Sequence, residues 1–241
     1  MARVYLKSLV SAVLAVSAVA AQADTVSLPR YQFGLDPDGS PLAVLANVAG
    51  VTRDAAGAFG PANQSAGAFT TSVNGGASFL SYCLDLTQSA PLGSSDSSYS
   101  RVSGGSYSFA NPAAASSLSK LFTVAGSQVN SISSAAAFQL AVWEIIYEAP
   151  VNMYSVLAGN AVFGVQDARE IATLTQANSW LTALSSTPAT APISILASTE
   201  RQDLVYGGAT APIPEPSTYA LMIAGLAGLG FVARRRSNKQ A

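Results

Sequence analysis

The chain has 241 residues, of which 49% are hydrophobic and only 10% charged, where a soluble domain usually carries roughly 25% charge. Between Asp24 and Pro216 there are 6 basic and 13 acidic residues, a net of −7, so this stretch repels phosphate and a nucleic-acid role is disfavoured. Histidine is absent and cysteine occurs once, as Cys83, which removes Ser-His-Asp and Cys-His catalysis, the commonest metal ligand and any intramolecular disulfide.

Residues 1–23 read as a secretory signal peptide. Arg3 and Lys7 supply its basic start, residues 9–20 its apolar run, and Ala21-Gln22-Ala23 a small-x-small cleavage site before Asp24. The next segment, 24–205, reads as one exported domain. Strands are predicted at 31–35, 42–48, 68–73, 79–86, 106–109, 193–197 and 203–206 from β-branched and aromatic runs bounded by turn residues. The Gly- and Ser-rich stretch 93–106 reads as an exposed loop.

Three helices are predicted. In 114–125 the residues Leu118, Leu121, Phe122 and Ala125 share a face. In 134–148, Ala135, Phe138, Val142 and Ile145 form one face and Gln139, Trp143 and Tyr147 a neighbouring one, with Pro150 as the stop. In 167–184, Asp167 is the expected N-cap, and Ala168, Ile171, Ala172, Leu174 and Trp180 are expected to face the core. The fold class expected is α+β, mostly antiparallel strands with about three helices. Residues 206–213 read as a linker.

The tail, 214–236, has three parts: Pro214-Glu215-Pro216, an apolar run over 217–233, and Arg234, Arg235 and Arg236. The run is about 25 Å long as a helix, at the short edge for a transmembrane span. The arginines act as a stop-transfer charge. Two prolines hold Glu215 in extended chain that a processing enzyme can grip. This stretch, "PEPSTYALMIAGLAGLGFVARRR", resembles the PEP-CTERM sorting signal of Gram-negative bacteria. The resemblance implies export, anchoring in the membrane by the tail helix during sorting, and processing by an exosortase. It also implies a place on the cell surface or in an exopolysaccharide or biofilm matrix.

Two internal motifs carry chemistry. "SYCLDL" puts Cys83 in a strand-like run, and "FQLAVWEIIYE" puts Gln139 on an otherwise apolar helical surface. Burying a carboxamide is costly unless its donors and acceptor are satisfied. Attack of the Cys83 thiolate on the Gln139 side-chain carbonyl, with loss of ammonia, removes those donors and leaves an internal thioester. Such a bond needs shelter from water, for which Tyr82, Phe138 and Trp143 are at hand; Asp85 lies two residues after the cysteine. The segments Tyr82-Cys83 and Gln139-Leu140-Ala141-Val142-Trp143 resemble the paired motifs of thioester domains on Gram-positive adhesins, with Phe138 where that family has threonine. The resemblance implies covalent attachment to an amine-bearing partner. A small buried cysteine, a Gln139 bonded to backbone, an intermolecular disulfide and lipid modification stay open as alternatives.

Other candidates are weaker. Asp36 and Asp38 lack the rest of a calcium loop and read as a turn, so no metal is expected. Glu144 and Glu148 read as a solvated helix face rather than a glycosidase pair. The expectation is therefore a non-enzymatic exported surface or matrix protein without cofactor. A structural adhesion protein with no reactive bond is the alternative, and a secreted hydrolase a more distant one.

Overall fold

A computed structural model of the chain describes residues 23–33, 42–48, 62–148, 153–164 and 168–208. The stretch read as a signal peptide as far as Gln22, Asp36 and Asp38, Asp167, Pro214-Glu215-Pro216, the apolar tail and its three arginines lie outside the described residues. Among the described residues no helix is long and apolar enough to cross a membrane.

Among the described residues, nine strands and three α-helices follow one another as β1 (Asp24–Tyr31), β2 (Leu42–Val48), β3 (Ala62–Ala66), β4 (Phe69–Val73), β5 (Phe79–Cys83), β6 (Ser94–Ser103), α1 (Ala114–Ala125), α2 (Ile132–Tyr147), β7 (Ala161–Gly164), α3 (Ala168–Ala183), β8 (Ile193–Ala197) and β9 (Leu204–Gly207). Six strands close a barrel in the order β1-β4-β5-β9-β8-β6, and β3-β2-β7 form a second sheet. Every described pairing is antiparallel, so the α+β expectation holds in outline. The strand β9 runs to Gly207, two residues into the stretch read as linker.

The turn between β4 and β5 is set by Asn74-Gly75. Both residues take positive φ (53° and 70°), and the Gly76 N–H bonds to the Val73 carbonyl at 2.9 Å. This tight reversal, with both central residues at positive φ, opens the five-residue connection 74–78 between the two strands. The stretch 93–106 departs from expectation. Most of it is the ten-residue strand β6, which joins β1 to β8 and closes the barrel. Its serines suggested a loop, but the strand needs only one face apolar: Tyr99 is buried, while its neighbour Ser100 on the other face is exposed. The residues 106–109, read as a strand, form a turn and irregular chain instead.

Helix α2 is buried on nearly every side. All residues from Ser134 to Ile145 are buried, as expected of a helix apolar all round. Alanines at 135–137 and 141 let α1, α3, β5 and β7 approach it closely. It starts two residues earlier than the periodicity indicated, because Ser131 and Ser134 form a reciprocal capping box. In α3 the core face is Thr173, Leu174, Ala177, Trp180 and Leu181, whereas Ile171 is 57% exposed and Ala172 is exposed too. Leu174 and Trp180 lie where expected; the stripe simply runs along the side of the helix away from Ile171 and Ala172.

Candidate functional site

The site forms where β5 runs out of partners. Alternate residues of an antiparallel strand turn their backbone groups to opposite neighbours. The Leu84 N–H goes to the Asp203 carbonyl beside β9, so the Cys83 N–H and C=O face the β4 side. There the ladder has already ended at the pair Phe69↔Ser81. Two buried backbone groups are left without a strand to bond.

Gln139 takes the missing strand's place. The Cys83 N–H donates to Gln139 Oε1 at 2.8 Å, and Gln139 Nε2 donates to the Cys83 carbonyl at 2.8 Å. A carboxamide presents a donor and an acceptor side by side, as a peptide edge does. Gln139 has no exposed surface. The cost expected of a buried carboxamide is therefore met without chemistry, since both its ends are bonded to the backbone of Cys83. What the pairing does is hold the Gln139 carboxamide on the residue that carries the thiol.

The thiol itself donates to a second glutamine, Gln202 Oε1, at 2.9 Å. Gln202 Nε2 donates in turn to the Asp85 carbonyl, and the Tyr99 hydroxyl donates to the Gln202 carbonyl at 3.0 Å. No sequence motif pointed to Gln202, which sits in a polar stretch before β9. Burial pushes the Cys83 thiol well above its ordinary pKa; the charge of Asp85 adds to this and a backbone hydrogen bond of Cys83 opposes it. While no bond joins it to Gln139, the sulfur therefore keeps its proton and donates it to Gln202.

Asp85 lies beyond the end of β5 and shapes the loop after it. Its Oδ1 accepts from the N–H groups of Thr87 (3.1 Å) and Gln88 (2.8 Å), and its Oδ2 from the Asp203 N–H (3.1 Å). The Leu86 N–H donates to the Tyr147 hydroxyl at 2.9 Å, tying the same loop to α2.

The three aromatic residues expected around the sulfur divide into two groups. Tyr82 faces the opposite side of β5 from Cys83. It packs with Phe138 at 4.4 Å between ring centroids, and Phe138 meets Phe122 and Trp180 at 4.9 and 6.2 Å. This cluster backs the site from the core. Trp143, stacked on Phe163 at 6.1 Å, does line the cavity on Cys83. That cavity has a volume of about 300 Å³, and Tyr31, Phe69, Leu86, Trp143 and Gln202 are among its walls. Burial, with the nearby cysteine adding to it and a hydrogen bond to Ser65 opposing it, pushes the Tyr31 phenol up to about 12, so it stands there as a neutral hydroxyl.

Glu144 and Glu148 are not a solvated face. Glu144 has no exposed surface and Glu148 is 2% exposed. Glu144 Oε1 accepts the Ser155 N–H and Glu148 Oε2 the Asn160 N–H, each at 2.7 Å. Together they fasten the chain after α2. Gly159 within that chain has φ +112°, and a Cβ there would collide with the Glu148 carboxylate. Gly159→Ala is expected to destabilise the domain by about 2–4 kcal/mol, read as a lower midpoint in urea unfolding.

Residues 212–236 match the family model described as the PEP-CTERM protein-sorting motif. No curated protein matches the chain. Among solved structures, the N-terminal thioester domain of fibronectin-binding protein SfbI from Streptococcus pyogenes matches with 16% identity over 73% of this chain and 96% of that one, at a TM-score of 0.40; that likeness is too weak to carry fold or chemistry across. The sorting motif implies export, direction to the cell surface and processing of the tail by an exosortase-type enzyme.

Proposed function

We propose that this exported protein is a non-enzymatic surface or matrix protein that stores a thioester between Cys83 Sγ and the Gln139 side-chain carbon and uses it to bond covalently to an amine on a partner. The observation that carries the reading is the two-point pairing of the Gln139 carboxamide with the backbone of Cys83. In forming the bond, the sulfur attacks the carboxamide carbon and the thiol proton leaves with the nitrogen as ammonia. The Cys83 N–H already sits on Gln139 Oε1, where negative charge develops in the tetrahedral intermediate. Proximity of this kind replaces the encounter of two free groups.

The intact mass of the mature domain, purified without reductant, tests the proposal. It is expected to be lower by one ammonia than the sequence requires, and Cys83→Ala is expected to bring its own mass back to the full sequence value. Native protein should gain one methylamine; the variant should gain none. A full mass with a thiol that alkylates freely in the native state sinks the proposal. The second reading is a structural matrix or adhesion protein with no reactive bond. It is favoured by the bonding of both ends of the Gln139 carboxamide to backbone, which meets most of the cost of burying it without a reaction. A secreted hydrolase has less support, since the paired glutamates are engaged with loop N–H groups.

The tail gives a separate prediction. Replacing Pro214, Glu215 and Pro216 with alanines is expected to leave the apolar segment uncut. A C-terminal epitope tag should then persist in the membrane fraction, whereas the native motif loses it.

A further inference from the structure

Gln202 is a buried glutamine that neither the sequence motifs nor the tail accounts for. It is 7% exposed and fixed at both ends. Its Nε2 donates to the Asp85 carbonyl, its own N–H donates to the Ser89 carbonyl at 3.3 Å, and Tyr99 donates to its carbonyl. The one group left to do work is Oε1, which takes the Cys83 S–H at 2.9 Å and stands in the wall of the cavity. A carboxamide does not titrate in water, so Gln202 cannot be a base. It can only hold a hydrogen in place.

We propose that Gln202 Oε1 is the positioning acceptor for the nucleophile that opens the Cys83–Gln139 thioester. The proposal rests on the thioester reading above. Once that bond forms, the sulfur has no proton and Gln202 Oε1 loses its donor. Its Nε2 stays pinned to Asp85, so the carboxamide cannot turn round to bring a donor into the cavity instead. The result is a buried acceptor with nothing bonded to it, next to the sulfur, on a residue that lines the cavity with Cys83. Leaving such an oxygen unpaired is unfavourable. An entering neutral amine meets that need with one of its N–H groups and keeps its lone pair for the Gln139 carbonyl carbon. As the new C–N bond forms, the C–S bond breaks and the electron pair goes to sulfur. A proton from the amine nitrogen ends on Sγ. The S–H then returns to Gln202 Oε1, which is the arrangement described in the structure.

The geometry therefore separates two jobs. The Cys83 N–H serves the carbonyl oxygen of Gln139 in both directions of the chemistry. Gln202 serves only the hydrogen of the group that enters or leaves on the cavity side. A residue with no acceptor at 202 is expected to slow both directions, so that the bond still forms given time while its opening by added amine is measurably slower.

The test uses the mature domain with Gln202→Met, which keeps length and volume but has no comparable acceptor, and Gln202→Glu, which restores one. Intact mass gives the fraction carrying the thioester, and mass spectrometry over time gives the rate of methylamine uptake. Wild-type and Gln202→Met are both expected to be lighter by one ammonia, with uptake about tenfold slower in Gln202→Met, the worth of one hydrogen bond. Gln202→Glu is expected to recover most of that loss. A Gln202→Met protein that carries the thioester and reacts at the wild-type rate overturns the proposal and leaves the thioester standing. Rates equally slow in both variants also overturn it, because packing alone then accounts for the effect. If Gln202→Met does not fold, Gln202→Glu decides: a tenfold loss overturns the proposal and near-native uptake upholds it. A wild-type domain at full mass overturns the thioester reading itself and this proposal with it.

Discussion

Treating the native domain with methylamine is expected to lower its unfolding midpoint by roughly 10 °C. The thioester would join residues 56 positions apart. Closing a loop of that length in the unfolded chain is worth about 4 kcal/mol by chain entropy. Methylamine cuts the cross-link and leaves Gln139 as its N-methylamide, which keeps the carbonyl for the Cys83 N–H but, being a trans amide, turns its one N–H away from the Cys83 carbonyl. The drop therefore reports the cross-link, with about 1 kcal/mol added for the hydrogen bond that is not remade. Cys83→Ala, which never forms it, should unfold near the methylamine-treated protein and ignore methylamine. Gln139→Ala should be lower still. It lacks the cross-link and also orphans two buried backbone groups, each costing about 1–3 kcal/mol. The order is therefore native, then Cys83→Ala, then Gln139→Ala. Differential scanning fluorimetry reads all three. A midpoint that methylamine leaves unmoved argues for the non-covalent alternative, in which Gln139 is only a surrogate strand.

How far the residues announced this arrangement depends on what kind of signal each carried. The helices α1 and α2 were legible because apolar side chains recur along them at helical spacing, and β8 because it is a short apolar run between polar ends. Strand β6 was not, since its serines satisfy the solvent side of a barrel as well as they satisfy a loop. The pairing of Cys83 with Gln139 was legible from residue type, a lone thiol and a carboxamide among apolar neighbours. Its physical reason was not: nothing in the sequence says that β4 stops pairing with β5 at Ser81. Gln202 carried no signal because its role comes from barrel closure, which sets β9 beside β5. Glu144 and Glu148 misled for a similar reason. Two carboxylates one turn apart look solvated unless the chain that returns over them is known.

That return sets up the second large effect. Glu144→Gln is expected to weaken the domain near pH 5 and to strengthen it near pH 8. Burial, reinforced by the charge of Glu148 and opposed by the Ser155 N–H, pushes the Glu144 carboxyl up to about 8. In the unfolded chain it titrates near 4.5. The folded protein therefore holds a proton that the unfolded chain has already lost. This favours folding fully below about pH 4.5, and the advantage drains away as pH rises towards 8. The loss is on the order of 3 kcal/mol. The substituted glutamine would keep the acceptor for Ser155 but cannot ionise. Its amide would occupy the position of Oε2, a buried oxygen with no hydrogen-bond partner among the described residues, at a cost of about 1 kcal/mol. The variant should thus be slightly weaker than native at pH 5 and stronger at pH 8, the two plots of stability against pH crossing in between when each is built from urea unfolding. Parallel plots would mean that Glu144 is charged throughout this range. The Ser155–Asn160 chain would then be held by a carboxylate pair rather than by one proton shared out through folding.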